Sequence, residues 1–218
     1  MMLHIYLVRH GQTEWNVGGR FQGQSDIKLS EIGRKQAQLL TKYFPAHQLQ
    51  AIYASTLERA KETANILAER YHAPVHLRDD LREMNFGDWE GLTFDEISKD
   101  WQNGGNEFFE HPEALMPPHG ETFMEGQKRG IKALQDIMQQ HTGEMEEIAI
   151  VAHGAILRTL IAYVLHIPIQ YVWRMRQGNT AISRLTIYDN NWMIDYMNNT
   201  SHLHLSADTQ AEAKDGVS

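Results

Sequence analysis

The chain has 218 residues, 42% of them hydrophobic, and a formal net charge of −8. The acidic balance argues against a nucleic-acid partner but leaves room for a small anion where basic residues converge. The absence of cysteine excludes disulfides, thiolate metal sites and a cysteine nucleophile. No apolar run reaches bilayer length and no secretion signal opens the chain, so a cytoplasmic protein without a membrane partner is expected.

Ile5-Tyr6-Leu7-Val8 is apolar, β-branched and aromatic, and it runs directly into Arg9-His10-Gly11. This predicts a buried strand that delivers a cation and an imidazole at its carboxyl end, where open α/β sheets place their ligands. A loop punctuated by Gly18, Gly19 and Gly23 follows; it matches neither the Walker pattern nor the dinucleotide fingerprint. Ser30 caps a predicted amphipathic helix that Pro45 stops. Residues 49–54 read as a second strand, ending in Ser55-Thr56-Leu57-Glu58, a capping-box pattern that opens a helix with Arg59 in its first turn. A helix N-terminus and a guanidinium both favour an anion at such a place.

Residues 74–77 form a third predicted strand, followed by a loop, 81–91, rich in glycine, acid and aromatic side chains. Thr93-Phe94-Asp95-Glu96 is a second capping box. Residues 99–120 read as an irregular insertion over the carboxyl edge of the sheet, with Phe108, Phe109 and Pro117-Pro118. Thr122-Phe123-Met124-Glu125 opens a helix to about His141, and 148–152 form a strand whose His153-Gly154 end echoes the first. A strongly apolar helix over 155–165, interrupted by Arg158 and Thr159, comes next. Two strands, 181–188 and 192–198, meet at a hairpin-type turn, Asp189-Asn190-Asn191. The tail from about Ser206 is small, polar and charged, and is expected to be disordered. The alternation of strands and helices predicts an α/β sandwich with a mostly parallel sheet.

In a parallel sheet, Arg9 with His10, Arg59 and His153 would line one crevice. Two arginines and two histidines suit a dianionic phosphoryl group. A neutral histidine with one ring nitrogen engaged can attack phosphorus, while the fixed cations stabilise charge on the transferring oxygens. The leaving alkoxide needs a proton, for which Glu83 at the rim is the best-placed acid.

Leu7-Val8-Arg9-His10-Gly11, Ser55 with Arg59-Ala60 and Thr63-Ala64, Leu81-Arg82-Glu83 with Gly87-Asp88-Trp89-Glu90-Gly91, and Ala152-His153-Gly154 resemble the histidine phosphatase superfamily. More narrowly, they resemble its phosphoglycerate-mutase-like branch. The resemblance spans residues 3–200 and implies a three-layer α/β/α sandwich with a mixed sheet, as one domain over 1–205. It implies His10 as the phosphorylated nucleophile, with Arg9, Arg59 and His153 around the phosphate. Glu83 is implied as acid and then base, and Asn16, Gln22 and the Gly154 backbone as further donors. It implies no metal and no cofactor; the His202-x-His204 pair is read as incidental.

The branch contains mutases and phosphatases. A mutase must retain a doubly phosphorylated intermediate, yet Lys99 is the only Lys or Arg between Glu83 and Gln127. The Gly-Asp-Trp-Glu-Gly loop is also similar to that of broad-specificity phosphatases. The favoured expectation is therefore a phosphatase acting on small phosphorylated metabolites. A cofactor-dependent phosphoglycerate mutase, an α-ribazole-phosphate phosphatase and an inert phosphate-recognition module are the alternatives.

Overall fold

The structure, a computed structural model, describes residues 2–100, 104–189 and 191–205. In chain order it contains β1 (Met2–Arg9), α1 (Glu14–Val17), α2 (Glu31–Lys42), β2 (Ala51–Ser55), α3 (Glu58–Tyr71) and β3 (Val75–Arg78). There follow α4 (Phe94–Asp100), α5 (Gly104–Glu110), α6 (Phe123–Met138), β4 (Met145–Ala152), α7 (Gly154–Val164), β5 (Ile182–Tyr188) and β6 (Asn191–Asn199). The six strands form one sheet in the order β3-β2-β4-β1-β5-β6. The first four run parallel, and β5 and β6 are antiparallel additions beside β1.

Alternation along the central strands builds two cores. Leu3, Ile5 and Leu7 of β1 with Ile148, Ile150 and Ala152 of β4 pack against α6 and α7. Tyr6 and Val8, with Ala149 and Val151, face the opposite layer, where α2 and α3 contribute Leu40, Ala60, Ala64 and Leu67. The result is the expected three-layer sandwich. After β1 the chain crosses over one face to reach β2, and after β4 it crosses the other face to reach β5. The carboxyl ends of these two adjacent strands therefore flank a topological switch point, the crevice where such sheets bind ligands.

Two of the three predicted capping boxes form. Thr122 and Glu125 exchange backbone and side-chain hydrogen bonds at 2.8 and 3.2 Å, and Thr93 and Glu96 do so at 2.7 and 3.3 Å. The third does not. Helix α3 is capped by Leu57 without a side-chain bond, and Ser55 Oγ accepts from Leu57 N at 3.2 Å. The acceptor for Glu58 N is Asp26 Oδ1, at 2.7 Å, so a side chain from the preceding loop replaces the local cap. The insertion is also less irregular than expected, since α5 lies within it. The Asn190 position in the hairpin turn and the tail from Ser206 lie outside the described residues.

Candidate active site

Parallel pairing of β1 with β4 sets Arg9 opposite Ala152, so the residues that follow, His10 and His153, leave the sheet side by side. Their ring centroids are 5.1 Å apart. Both rings are buried, at 2% and 0% exposure, and burial followed by the charge of Arg59 holds both well below the ordinary histidine range. His10 Nδ1 lies 2.6 Å from the Gly11 carbonyl, which can only accept. Nδ1 must therefore carry the proton, and Nε2 keeps its lone pair. Neither nitrogen of His153 has a hydrogen-bond partner among the described residues.

Arg59 is fully buried at the start of α3. Its Nη1 and Nη2 donate to the carbonyls of Ser25 and Gly23 at 2.8 and 2.7 Å, and its buried Nε has no partner among the described residues. Glu90 makes that arrangement possible: its carboxylate accepts from the backbone of Gln24, Ser25 and Phe86, clamping the 22–25 loop against the loop that carries Glu83. Arg9 donates Nη1 to Gln177 O at 2.5 Å, and its buried Nε likewise has no partner among the described residues. Burial lowers both guanidinium pKa values, that of Arg59 to about 10, while Glu83 partly offsets the effect. Unpaired buried donors of this kind are costly unless something anionic accepts from them.

A cavity of about 230 Å³ opens over this cluster, lined by Arg9, His10, Asn16, Gln22, Arg59, Glu83 and Gly154. Asn16 Oδ1 accepts from Thr13 N and from Asn179 Nδ2, at 3.0 and 3.3 Å. The side-chain orientation is thus fixed, with the Nδ2 donors left for the cavity. Glu83 is 8% exposed and so lies inside the wall, deeper than the rim position expected from the sequence. Its carboxylate accepts from Met84 N, Ala155 N and Ile156 N at 2.9–3.1 Å, which anchors it on the first turn of α7. All eight residues singled out in the sequence therefore come together, His153 through its contact with His10.

Sequence reasoning missed the role of one contributor and the full extent of a second. Arg158 lines the cavity beside Arg9; a Cβ at Gly154 would lie 3.1 Å from Arg158 Nη1 and 3.4 Å from Arg9 Nε. It donates to Met175 O and Gly154 O, stacks over Trp173 at 5.1 Å, and has no carboxylate partner among the described ion pairs. Burial lowers its pKa to about 10. The second contributor is an aromatic wall of Phe21, Phe86, Phe108, Phe109 and Trp173 on the open side. Phe108 of α5 sits at its centre, 4.8 Å from Trp173 and 5.1 Å from Phe21, and its carbonyl accepts from Trp173 Nε1 at 2.8 Å. Arg158 was legible only as a polar interruption in an apolar helix. The aromatic residues of the insertion already suggest, in the sequence, contact with an uncharged or aromatic leaving group; Phe21, Phe86 and Trp173 join them only in the fold.

Residues 5–200 match the family profile described as the histidine phosphatase superfamily (branch 1). A probable phosphoglycerate mutase, GpmB, from Yersinia pestis (strain Pestoides F) is 31% identical over 211 residues, covering 94% of this chain and 97% of that protein. Among solved structures, Bacillus stearothermophilus YhfR superposes with a TM-score of 0.87 at 36% identity, covering 92% and 99% of the two chains. Phosphoserine phosphatase from Entamoeba histolytica, solved in complex with 3-phosphoglyceric acid, gives 0.82 at 30% identity, with 92% and 99% covered. Strand-end chemistry, sheet order and sequence agree: the chain belongs to the histidine phosphatase superfamily, branch 1.

Proposed function

We propose that the protein is a metal-independent phosphomonoester hydrolase that works through a phosphohistidine on His10. The observation that carries this reading is the imidazole itself: buried, neutral, its Nδ1 committed to Gly11 O, at the wall of a cavity also lined by Arg9, Arg59 and Arg158. Nε2 attacks phosphorus as the P–O bond to the alcohol breaks. Arg9, Arg59, His153 and the Asn16 and Gln22 amides hold the equatorial oxygens, with the Gly154 backbone beside them. Glu83 gives the leaving oxygen its proton. As a carboxylate it then takes one from the water that attacks the phosphohistidine, and inorganic phosphate departs with His10 neutral again.

The aromatic wall suits the carbon skeleton of the leaving group, so small esters with apolar or aromatic alcohols are the favoured substrates. A second reading, a phosphoglycerate mutase, is favoured by Arg158, a cavity cation with no acidic partner among the described ion pairs, and by the name of the Yersinia relative. The scarcity of cations over 83–127 weighs for hydrolysis. A panel of phosphomonoesters assayed with and without 2,3-bisphosphoglycerate decides between them. Phosphate release from many esters is expected. Bisphosphoglycerate-dependent isomerisation of 3-phosphoglycerate exceeding phosphate release would overturn the hydrolase reading.

A further inference from the structure

The segment that returns to the site after α7 contains an unusual backbone. Thr180 has φ +54°, in the left-handed region that a β-branched residue rarely occupies. Its neighbours hold the catalytic strand end in place. Thr180 N and Asn179 Nδ2 both donate to the carbonyl of His10, at 3.2 and 3.1 Å. The same Asn179 amide reaches Asn16 Oδ1, and Gln177 O receives Arg9 Nη1. Three candidate site residues are therefore referenced to one four-residue turn.

Something must hold that turn against its strain. Thr180 Oγ1 donates to the Asn179 carbonyl at 2.7 Å, so its lone pairs remain for a donor. His202 Nε2 lies 2.9 Å from the same hydroxyl. His202 belongs to a 3₁₀ turn, Ser201–His204, and is buried at 4% exposure, where burial lowers its pKa to about 4. The ring is thus neutral near pH 7, and Nε2 and the hydroxyl share one hydrogen bond. On the other side of the turn, Asn198 Oδ1 accepts from Gly178 N at 2.7 Å. The histidine that looks incidental in the sequence is a buried hydrogen-bonding partner beneath the loop behind His10.

We propose that His202 and Thr180 are positioning residues, a hydrogen-bonded pair that locks the 177–180 turn and through it the orientation of His10 and Arg9. The pair acts more on the chemical step than on ester binding, because it places the nucleophile and the arginine that holds the transferring oxygens. This inference rests on the reading of His10 as the nucleophile.

The test uses the full chain with 4-nitrophenyl phosphate, and turnover is normalised to His10 that can be phosphorylated in a quenched single turnover. His202→Ala and Thr180→Val should each lower kcat about three- to tenfold, the equivalent of one net hydrogen bond, with KM within about twofold. The double variant should be no slower than either single variant, since both remove the same bond. His202→Gln, whose amide can reach the hydroxyl, should recover most of the loss. Thr180→Gly should relieve the backbone strain and regain melting temperature relative to Thr180→Val, yet stay slow. Unchanged kcat per labelled site in His202→Ala, multiplied losses in the double variant, or no recovery with His202→Gln would each overturn the positioning role. Absence of label in the wild type would instead remove the nucleophile reading beneath it.

Discussion

The two strand ends that carry histidine look alike in sequence, Val-Arg-His-Gly after β1 and Val-Ala-His-Gly after β4, but the structure prepares them differently. His10 is tied by Nδ1 to the next carbonyl, while neither nitrogen of His153 has a hydrogen-bond partner among the described residues. A ring fixed on one side offers a directed lone pair. In the proposed reading, the ring without partners is the one left to donate to the phosphoryl group beside His10. The glycines differ too. A Cβ on Gly11 would lie 2.5 Å from the backbone oxygen of Gly33 in α2, whereas on Gly154 it would press on the tips of two arginines. One motif is therefore wedged into the scaffold, and the other borders the ligand space. The same four-residue pattern serves two jobs because its surroundings assign them.

The largest expected effect breaks the comparison outright. His10→Ala should abolish turnover and leave no phosphohistidine, whereas His153→Ala should slow turnover roughly 10²–10³-fold, the cost of one lost charge-stabilising group, and still label at His10. Label surviving in His10→Ala would reverse the assignment of the two rings. Glu83→Gln should slow alkyl phosphates at least about 10²-fold and aryl phosphates far less, because only the poor leaving group needs the proton. Equal losses measured on both ester classes would remove Glu83 from proton transfer.

The glycines sharpen the contrast further. Gly11→Ala should destabilise the fold by about 1–3 kcal/mol, read as a lower denaturation midpoint, because backbone must move. Gly154→Ala should act mainly on kcat/KM through Arg9 and Arg158, with a smaller change in midpoint.

Acidification gives a gentler test. His10, His153 and His202 are all held below the ordinary value of 6.5, that of His202 at about 4. The unfolded chain therefore binds protons that the native state refuses, and their contribution to stability, full above pH 6.5, is lost as pH falls toward 4. Replacing His202 with Gln should flatten that part of the stability curve. The smallest expected effect is none: chelation with EDTA should leave hydrolysis of an aryl phosphate intact.

Much of this was legible before the structure because the informative residues sit where apolar runs stop. Arg9, His10 and His153 follow directly from buried strands, and Arg59 from a strand-to-helix junction. What stayed hidden depends on contacts between distant segments. The Ser55 capping box failed because Asp26, 32 positions before Glu58, took the helix N-terminal amide. Helix α5 opens on Gly104-Gly105, poor helix formers whose helix is supported by the packing of Phe108 against Trp173. Arg158 is held at the cavity by Met175 O, Gly154 O and the Trp173 ring, two of them from the segment 169–175, whose 3₁₀ turn leaves no periodic trace. His202 gained meaning only through the left-handed conformation of Thr180.

In the proposed reading, the histidines and Arg9 beside phosphorus issue from strand ends dictated by sheet register, whereas the aromatic wall draws Phe108 and Phe109 from a seven-residue helix and Trp173 from a 3₁₀ turn packed against it. These two parts answer to separate constraints. Exchanging α5 would alter which alcohol is accepted without disturbing how its phosphate is removed, so close kin could share a reaction while diverging in diet.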